Sequence, residues 1–239
     1  MLKHLDLSNC YNLTHLPDTI TNLSSLEVLF LSNCHNIRKL PDSFGELTVL
    51  KKIRMNGMPL KKLPQTFRWL SCLEKLTLHG CYKLISLPQS IGELNCLRYL
   101  DIHGCSSLRS LPDSIYELES LRHLDMTDCQ KVDLGEELGN LVCMERLILI
   151  NCPAMRSLST SIGKLNCLRH LNMSNCASLF QLPEEIGNLV CLEYLLLNKC
   201  YNLCELPKSI ENISKLRNLL AITSPSLHNN RDEHTQLLI

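Results

Sequence analysis

One pattern of apolar residues recurs every 23 or 24 residues from Leu2 to Lys215 and limits what this chain can fold into. Its clearest copy spans residues 97–120, LRYLDIHGCSSLRSLPDSIYELES. The apolar positions of that copy are Leu97, Leu100, Ile102, Cys105, Leu108, Leu111, Ile115 and Leu118. A unit this short cannot bury its own leucines, whereas stacked copies cover one another. The periodicity therefore predicts a solenoid with a continuous core, and the usual count of domains from chain length does not apply.

Each copy contains the pattern of a strand, a bend and a short return. Residues 99–102 (YLDI) alternate polar and apolar, which indicates a strand with one face in the core. Gly104 gives the backbone the freedom that a bend needs. Pro112 forces an extended residue before it and interrupts regular structure. Residues 115–118 then place two apolar side chains at the spacing of one helical or 3₁₀ turn.

The copies follow one another without a linker. Nine full copies begin at Leu2, Leu26, Leu50, Leu73, Leu97, Leu121, Met144, Leu168 and Leu192, and a tenth, degenerate copy begins at Leu216. Three positions depart from the pattern: Met58 replaces cysteine, and Gly135 and Ser159 replace proline. We expect one repeat domain over residues 1–222 and a C-terminal tail over residues 223–239. Because the first residues already form a repeat strand without a cap, we expect the chain to be part of a larger protein.

Fourteen cysteines fall mainly in two columns of the repeat. Eight occupy one position (Cys10, Cys34, Cys81, Cys105, Cys129, Cys152, Cys176 and Cys200), and five stand at the end of a copy (Cys72, Cys96, Cys143, Cys167 and Cys191). A metal site needs short spacings between ligands, so we predict small buried hydrophobes whose thiols donate weakly to the loop backbone. Many free thiols without a signal peptide favour a reducing compartment, the cytoplasm or the nucleus.

The net charge and the missing sequence motifs argue against several classes of function. Lys plus Arg equals Asp plus Glu at 24 each, so the net charge is zero and general binding to nucleic acid or anionic membranes is not expected. Apolar runs are too short to span a membrane. No Gly-rich phosphate loop or GxSxG motif occurs, so we predict neither a cofactor nor an enzyme. His79 and His103 share a column and could form a metal or acid–base group, although a solvated polar face is the commoner outcome.

The outward positions of the predicted strands form the most informative surface, the concave face of a curved solenoid. The basic positions cluster in the third copy, the acidic ones in the fifth and sixth, and apolar or aromatic ones in the seventh and ninth. We predict that this face binds a protein partner through Phe30, Lys52, Arg54, Tyr99, Asp101, His103, Asp125, Ile148, Ile150, Tyr194 and Leu196. Alternatively, the apolar members only stack on one another along the sheet.

The consensus LxxLxLxxCxxLxxLPxxIxxLxx resembles the leucine-rich repeat (LRR) family. That resemblance implies an α/β solenoid, a curved horseshoe with a parallel concave β-sheet and short 3₁₀, helical or irregular convex segments. The Cys-x-x-Leu-x-x-Leu-Pro step, as in residues 105–112, is similar to the C-terminal LRRs of plant intracellular nucleotide-binding (NLR) immune receptors. Residues 200–219 are similar to the terminal repeats of the helper type with an RPW8-like coiled coil.

The NLR resemblance implies a plant defence module that senses a ligand or keeps a receptor's switch domain inactive. Its partner would be an effector, a host protein or the switch domain itself. ATP binding is not implied, because the nucleotide-binding domain is absent from these residues. Two alternatives remain: a stand-alone intracellular scaffold of the plant Ras-group LRR type, which shares the LPxxIxxLxxL step, and an extracellular receptor domain. The second alternative is disfavoured because the Gly-x-Ile-Pro step typical of such domains is missing.

Overall fold

The computed structural model describes residues 1–221, and the predicted tail at 223–239 lies outside them. Three-residue strands alternate with five-residue 3₁₀ helices along the chain. The strands are β1 His4–Asp6, β2 Val28–Phe30, β3 Lys52–Arg54, β4 Lys75–Thr77, β5 Tyr99–Asp101, β6 His123–Asp125, β7 Arg146–Ile148, β8 His170–Asn172, β9 Tyr194–Leu196 and β10 Asn218–Leu220. The 3₁₀ helices are η1 Asp18–Asn22, η2 Asp42–Glu46, η3 Gln65–Trp69, η4 Gln89–Glu93, η5 Asp113–Glu117, η6 Glu136–Asn140, η7 Thr160–Lys164, η8 Glu184–Asn188 and η9 Lys208–Asn212.

All ten strands form a single parallel sheet in chain order, from β1 to β10. Each strand pairs with the equivalent residues of the next copy, as Leu100 does with Leu124 and Tyr99 with His123. The middle residue of every strand faces the core, and in β2–β9 it is fully or almost fully buried. The two flanking residues face outward because side chains alternate along a strand. The predicted α/β solenoid of stacked repeats is therefore confirmed.

A left-handed residue turns the chain away from each of the strands β1 to β9. Gly57, Gly80 and Gly104 have φ near +70° at this position. The other copies use Asn9, Asn33, Asp128, Asn151, Asn175 and Lys199, all with φ between 55° and 63°. Asparagine tolerates this conformation better than most residues do. Neighbouring asparagines also bond across copies, because the Asn33 side-chain amide donates to Asn9 Oδ1 at 3.0 Å and Asn175 donates to Asn151 Oδ1 at 3.0 Å.

Most 3₁₀ helices begin after a proline in extended conformation, such as Pro112 with φ −69° and ψ 147°. The sixth copy has Gly135 there instead, and its backbone N–H donates to the phenol oxygen of Tyr116 at 2.6 Å. Proline has no N–H, so this donor exists only in copies that lack the proline. In the seventh copy Ser159 takes the proline position, and its hydroxyl accepts a bond from the Ser161 N–H at 3.0 Å.

The first cysteine column forms a ladder of hydrogen bonds between copies. Seven of its members are buried, and each thiol donates to the carbonyl oxygen of an apolar residue of the preceding copy. The pairs are Cys34–Leu7 at 3.1 Å, Cys81–Met55 at 3.1 Å, Cys105–Leu78 at 3.4 Å, Cys129–Ile102 at 3.4 Å, Cys152–Met126 at 3.2 Å, Cys176–Leu149 at 3.0 Å and Cys200–Met173 at 3.2 Å. These carbonyls lie just beyond the ends of the three-residue strands, and five of them also accept the backbone N–H of the cysteine in their own copy, as Leu78 does from Cys81 at 3.0 Å. The prediction of buried donor thiols is confirmed for seven of the eight members, while Cys10 in the first copy is half-buried.

The second cysteine column differs from that prediction. Cys72, Cys96 and Cys167 are exposed, and Cys143 and Cys191 are half-buried. These residues precede the first core residue of the next copy, in the segment that leads from a 3₁₀ helix to the next strand. The turn there leaves the side chain at the edge of the solenoid, so the repeat position alone does not indicate burial.

Candidate protein-binding surface

The outward side chains of the ten strands, with the residue two positions after each strand, form one continuous surface that we call the sheet face. Three columns run along it because the strands pair in register. All eleven residues predicted to bind a partner lie on this surface, and none of them is fully buried. They are separated into a basic, an acidic and an apolar group.

The basic group lies on β2 to β4. The guanidinium carbon of Arg54 is 4.5 Å from the centre of the Phe30 ring, whose edge contacts His4 with ring centres 5.1 Å apart. Lys52 pairs in register with Lys75 and is exposed. Stacking on an aromatic ring keeps Arg54 flat against the sheet while its charge remains accessible.

A column of rings occupies the middle of the sheet face. Lys75 Nζ lies 3.8 Å from the centre of the Tyr99 ring, and His123 stacks on that ring with centres 4.2 Å apart. Burial lowers the pKa of His123 to about 4, more than the nearby Asp125 carboxylate raises it. The His123 ring is therefore neutral near pH 7. Burial also raises the pKa of the Tyr99 phenol.

The acidic group lies beside these rings. Asp101 and Asp125 are register partners on β5 and β6. Burial raises the pKa of Asp101, and the Asp125 charge raises it further. His103 stacks on His79 with ring centres 4.2 Å apart, and its Nε2 is 3.2 Å from Asp128 Oδ2. The predicted proximity of His79 and His103 is thus observed, but among residues 1–221 no group of three or more His, Cys, Asp or Glu side chains is arranged to hold a metal ion.

The apolar group lies on β7 and β9 and just beyond β7. Ile148 and Leu196 stand in the column of Asp125, while Ile150 stands in the column of His103. All three are half-buried, and Tyr194 is 37% exposed with its ring 5.6 Å from His170. Part of each aliphatic side chain therefore remains in contact with water.

Two positions of the sheet face differ from the sequence interpretation. Thr77 and Thr127 stand in outward columns but are buried, with 5% and 9% of their surface exposed. A threonine is shorter than its tyrosine, histidine and arginine neighbours, so these cover it. The hydroxyl oxygen of Thr77 has no hydrogen-bond partner among the described residues, and the same holds for His123 Nε2 and Asn56 Oδ1. The sequence of one copy could not show that these atoms lack a hydrogen-bond partner, because that depends on side chains of the adjacent copies, about 24 residues away.

Comparison with known proteins supports the repeat assignment. A Zer-1-like leucine-rich repeat model matches residues 112–186, and a Leucine Rich Repeat model matches residues 1–23 and 25–47. No curated protein matches the sequence. Within residues 1–221, no helix is both long and apolar enough to cross a membrane.

Many solved structures share the fold. The LRR domain of the type III effector XCV3220 (XopL) is 28% identical with a TM-score of 0.77, over 91% of this chain and 75% of that domain. The Drosophila Toll–Spatzle complex gives 20% identity and a TM-score of 0.71, over 92% of this chain and 30% of the other. The plant peptide hormone receptor RGFR1, solved with RGF2, gives 20% and 0.55, over 93% of this chain and 48% of the receptor. This chain is thus similar to most of the effector domain but to less than half of either receptor.

The repeat models, the solved structures and the parallel sheet agree on the architecture. LRR domains typically act as scaffolds without catalytic activity of their own. The chain is a leucine-rich repeat domain, a kind of domain that generally serves as a protein–protein interaction module.

Proposed function

We propose that this chain recognises a protein partner through the sheet face. The observation that carries the proposal is the apolar group of Ile148, Ile150, Tyr194 and Leu196, which stays partly in water next to charged side chains. Aliphatic and aromatic groups rimmed by charge are typical of protein-binding patches. An aromatic side chain at the centre of such a patch often contributes 2 kcal/mol or more to binding.

A display library of plant cDNA fragments provides the test. We expect wild-type protein to select a partner whose affinity falls at least tenfold, or about 1.4 kcal/mol, with Tyr194→Ala plus Leu196→Ala. The matched control is Tyr201→Ala plus Val190→Ala, because these side chains are about half exposed and lie outside the sheet face. Both double variants should keep the circular dichroism spectrum of the parent. Equal affinities for the two folded variants would contradict the proposal.

We further propose that the domain belongs to an intracellular plant defence receptor of the NLR class, in the cytoplasm or the nucleus. The Cys-x-x-Leu-x-x-Leu-Pro step supports this reading, and the thiol ladder supports a reducing compartment. The partner would then be an effector, a host protein or the receptor's own switch domain. The transcript upstream of Met1 tests the proposal: an open reading frame for a nucleotide-binding domain is expected. In-frame stop codons directly upstream would contradict it and favour a stand-alone scaffold.

A further inference from the structure

Two carboxylates on the sheet face are held in place without being neutralised. Asp101 Oδ1 accepts the backbone N–H of His103 at 3.0 Å, and Asp125 Oδ1 accepts that of Thr127 at 2.9 Å. These bonds fix both side chains and leave the second oxygen of each carboxylate without a hydrogen-bond partner in the described chain. Because adjacent strands are about 4.8 Å apart, the two carboxylates stand side by side.

Further unpartnered acceptors adjoin this pair. Thr77 is the register partner of Asp101 on β4, is 5% exposed and has no partner for its hydroxyl oxygen. His123 lies beside Asp125 on β6, and its buried Nε2 is also unpartnered. The ring is neutral near pH 7, so Nε2 can accept a hydrogen bond when the proton is on Nδ1. Leaving a buried polar atom without a hydrogen-bond partner is unfavourable, so this cluster favours a ligand that brings several donors.

The lysines and arginines on neighbouring strands form no ion pair with this cluster, and the nearby His79 and His103 lower the pKa of Asp101 by less than burial raises it. Lys75 lies on the Tyr99 ring and Arg54 lies on the Phe30 ring. Arg146, beside His123 on β7, is exposed. None of the ion pairs formed within residues 1–221 includes Asp101 or Asp125. The two neighbouring carboxylates and the buried hydroxyl therefore have no positively charged partner within residues 1–221, which favours one from another molecule.

We propose that the partner inserts an arginine side chain at Asp101 and Asp125, with its guanidinium donating to both carboxylates and to the Thr77 hydroxyl. This proposal rests on the proposed function and specifies the chemistry of the partner. Arginine fits better than lysine because its planar group carries five N–H donors in a fixed fork, which can bridge two carboxylates. A lysine ammonium is a compact charge with three donors.

The distance between the acidic and apolar groups of the sheet face also predicts how far the partner's arginine stands from an apolar residue. The apolar group on β7 and β9 is centred two to three strands from the Asp101–Asp125 pair, which is about 12 Å at the usual strand separation. An extended segment advances about 3.3 Å per residue. The partner segment should therefore carry an aliphatic or aromatic residue about three to four positions from its arginine.

A random twelve-residue peptide display library tests this inference. Selection on the wild-type protein should enrich peptides with arginine at that spacing from an apolar residue. In the best selected peptide, replacing arginine by citrulline, which removes the charge but keeps the shape, should weaken binding at least tenfold. The same replacement should change affinity less than threefold for Asp101→Asn plus Asp125→Asn. Asp113→Asn plus Asp133→Asn, an equal charge change outside the sheet face, should behave as wild type.

The outcomes separate this inference from the proposed function. Selected peptides that lose affinity with Tyr194→Ala plus Leu196→Ala but contain no enriched arginine would overturn the arginine site and leave the binding face intact. Arginine-containing peptides whose citrulline effect is the same in both Asp→Asn double variants would also overturn it. If no peptide is enriched above the Tyr194→Ala plus Leu196→Ala variant, both the site and the proposed function fail.

Discussion

The bond between Tyr116 and Gly135 allows a quantitative test of how one copy compensates for its missing proline. Tyr116 is 7% exposed, and its phenol oxygen accepts the Gly135 N–H at 2.6 Å. Removing the phenol oxygen with Tyr116→Phe leaves the half-buried N–H without its partner. We expect this to lower the free energy of unfolding by about 1–2 kcal/mol, the lower part of the range for an unsatisfied buried group.

A second substitution should cancel much of that loss. Gly135 has φ −78° and ψ 177°, which proline can adopt, and Gly135→Pro removes the N–H altogether. In the double variant neither partner is present, and proline also reduces the entropy of the unfolded chain, which contributes about 0.4–1 kcal/mol. We therefore expect the double variant to be as stable as the parent within about 0.5 kcal/mol, with a coupling energy of about 1–2 kcal/mol.

Urea unfolding followed by circular dichroism measures the four members of this cycle. Tyr201→Phe serves as the control, because Tyr201 is 49% exposed, and it should leave the unfolding midpoint unchanged. If the two single changes add to within about 0.3 kcal/mol, the bond contributes nothing specific and the compensation argument is refuted.

Three further predictions concern packing, thiols and pH. Gly92→Ala should destabilise the fold by about 1–3 kcal/mol in thermal unfolding, because a Cβ there would lie 2.3 Å from the Ser114 carbonyl oxygen. Glu211→Ala should have little effect, because Glu211 is the equivalent residue of η9 and its side chain is exposed. An aromatic disulfide reagent should leave seven of the fourteen thiols unmodified until the protein unfolds, because burial raises the pKa of thiols such as Cys81 to about 12. Rapid modification of more than seven thiols in the folded protein would contradict the burial of the first cysteine column. The folded-state pKa of His123 is about 4, below the ordinary 6.5, so its contribution to stability is present above pH 6.5 and is lost as pH falls through 4. His123→Gln should flatten the plot of unfolding free energy against pH in that range. An unchanged slope there would contradict this assignment.

The fold follows from the sequence because each copy repeats the same local rules. Period-two alternation, a left-handed turn position and, in most copies, a proline before two spaced apolar residues determine the strand, the bend and the 3₁₀ helix. Burial of Leu100, Ile102 and Cys105 follows directly, since only the stacked arrangement removes them from water. The sheet face follows in the same way, because register transfers the outward positions of one strand to the next.

Contacts between copies could not be predicted in the same manner. Tyr116 looks like a surface residue in its own copy, and only the lack of proline at Gly135, nineteen residues later, gives its hydroxyl a half-buried partner. Thr77 is covered because longer side chains occupy the adjacent strands. Such effects depend on which two side chains are neighbours in adjacent copies. A consensus pattern does not specify these residues at its variable positions. The exposed second cysteine column shows the same limit of reasoning from position alone.

Photo-crosslinking from four tyrosine positions tests the central claim, that the sheet face is where the partner binds, most directly. A benzophenone amino acid would replace Tyr99 and Tyr194 on the sheet face, or Tyr82 and Tyr201 in the loops, where about half of each side chain is exposed. Illumination of the complex with the partner selected from the cDNA library should give adducts from positions 99 and 194 and none from 82 and 201. Adducts confined to positions 82 and 201 would show that the partner binds the loop side and would contradict the account.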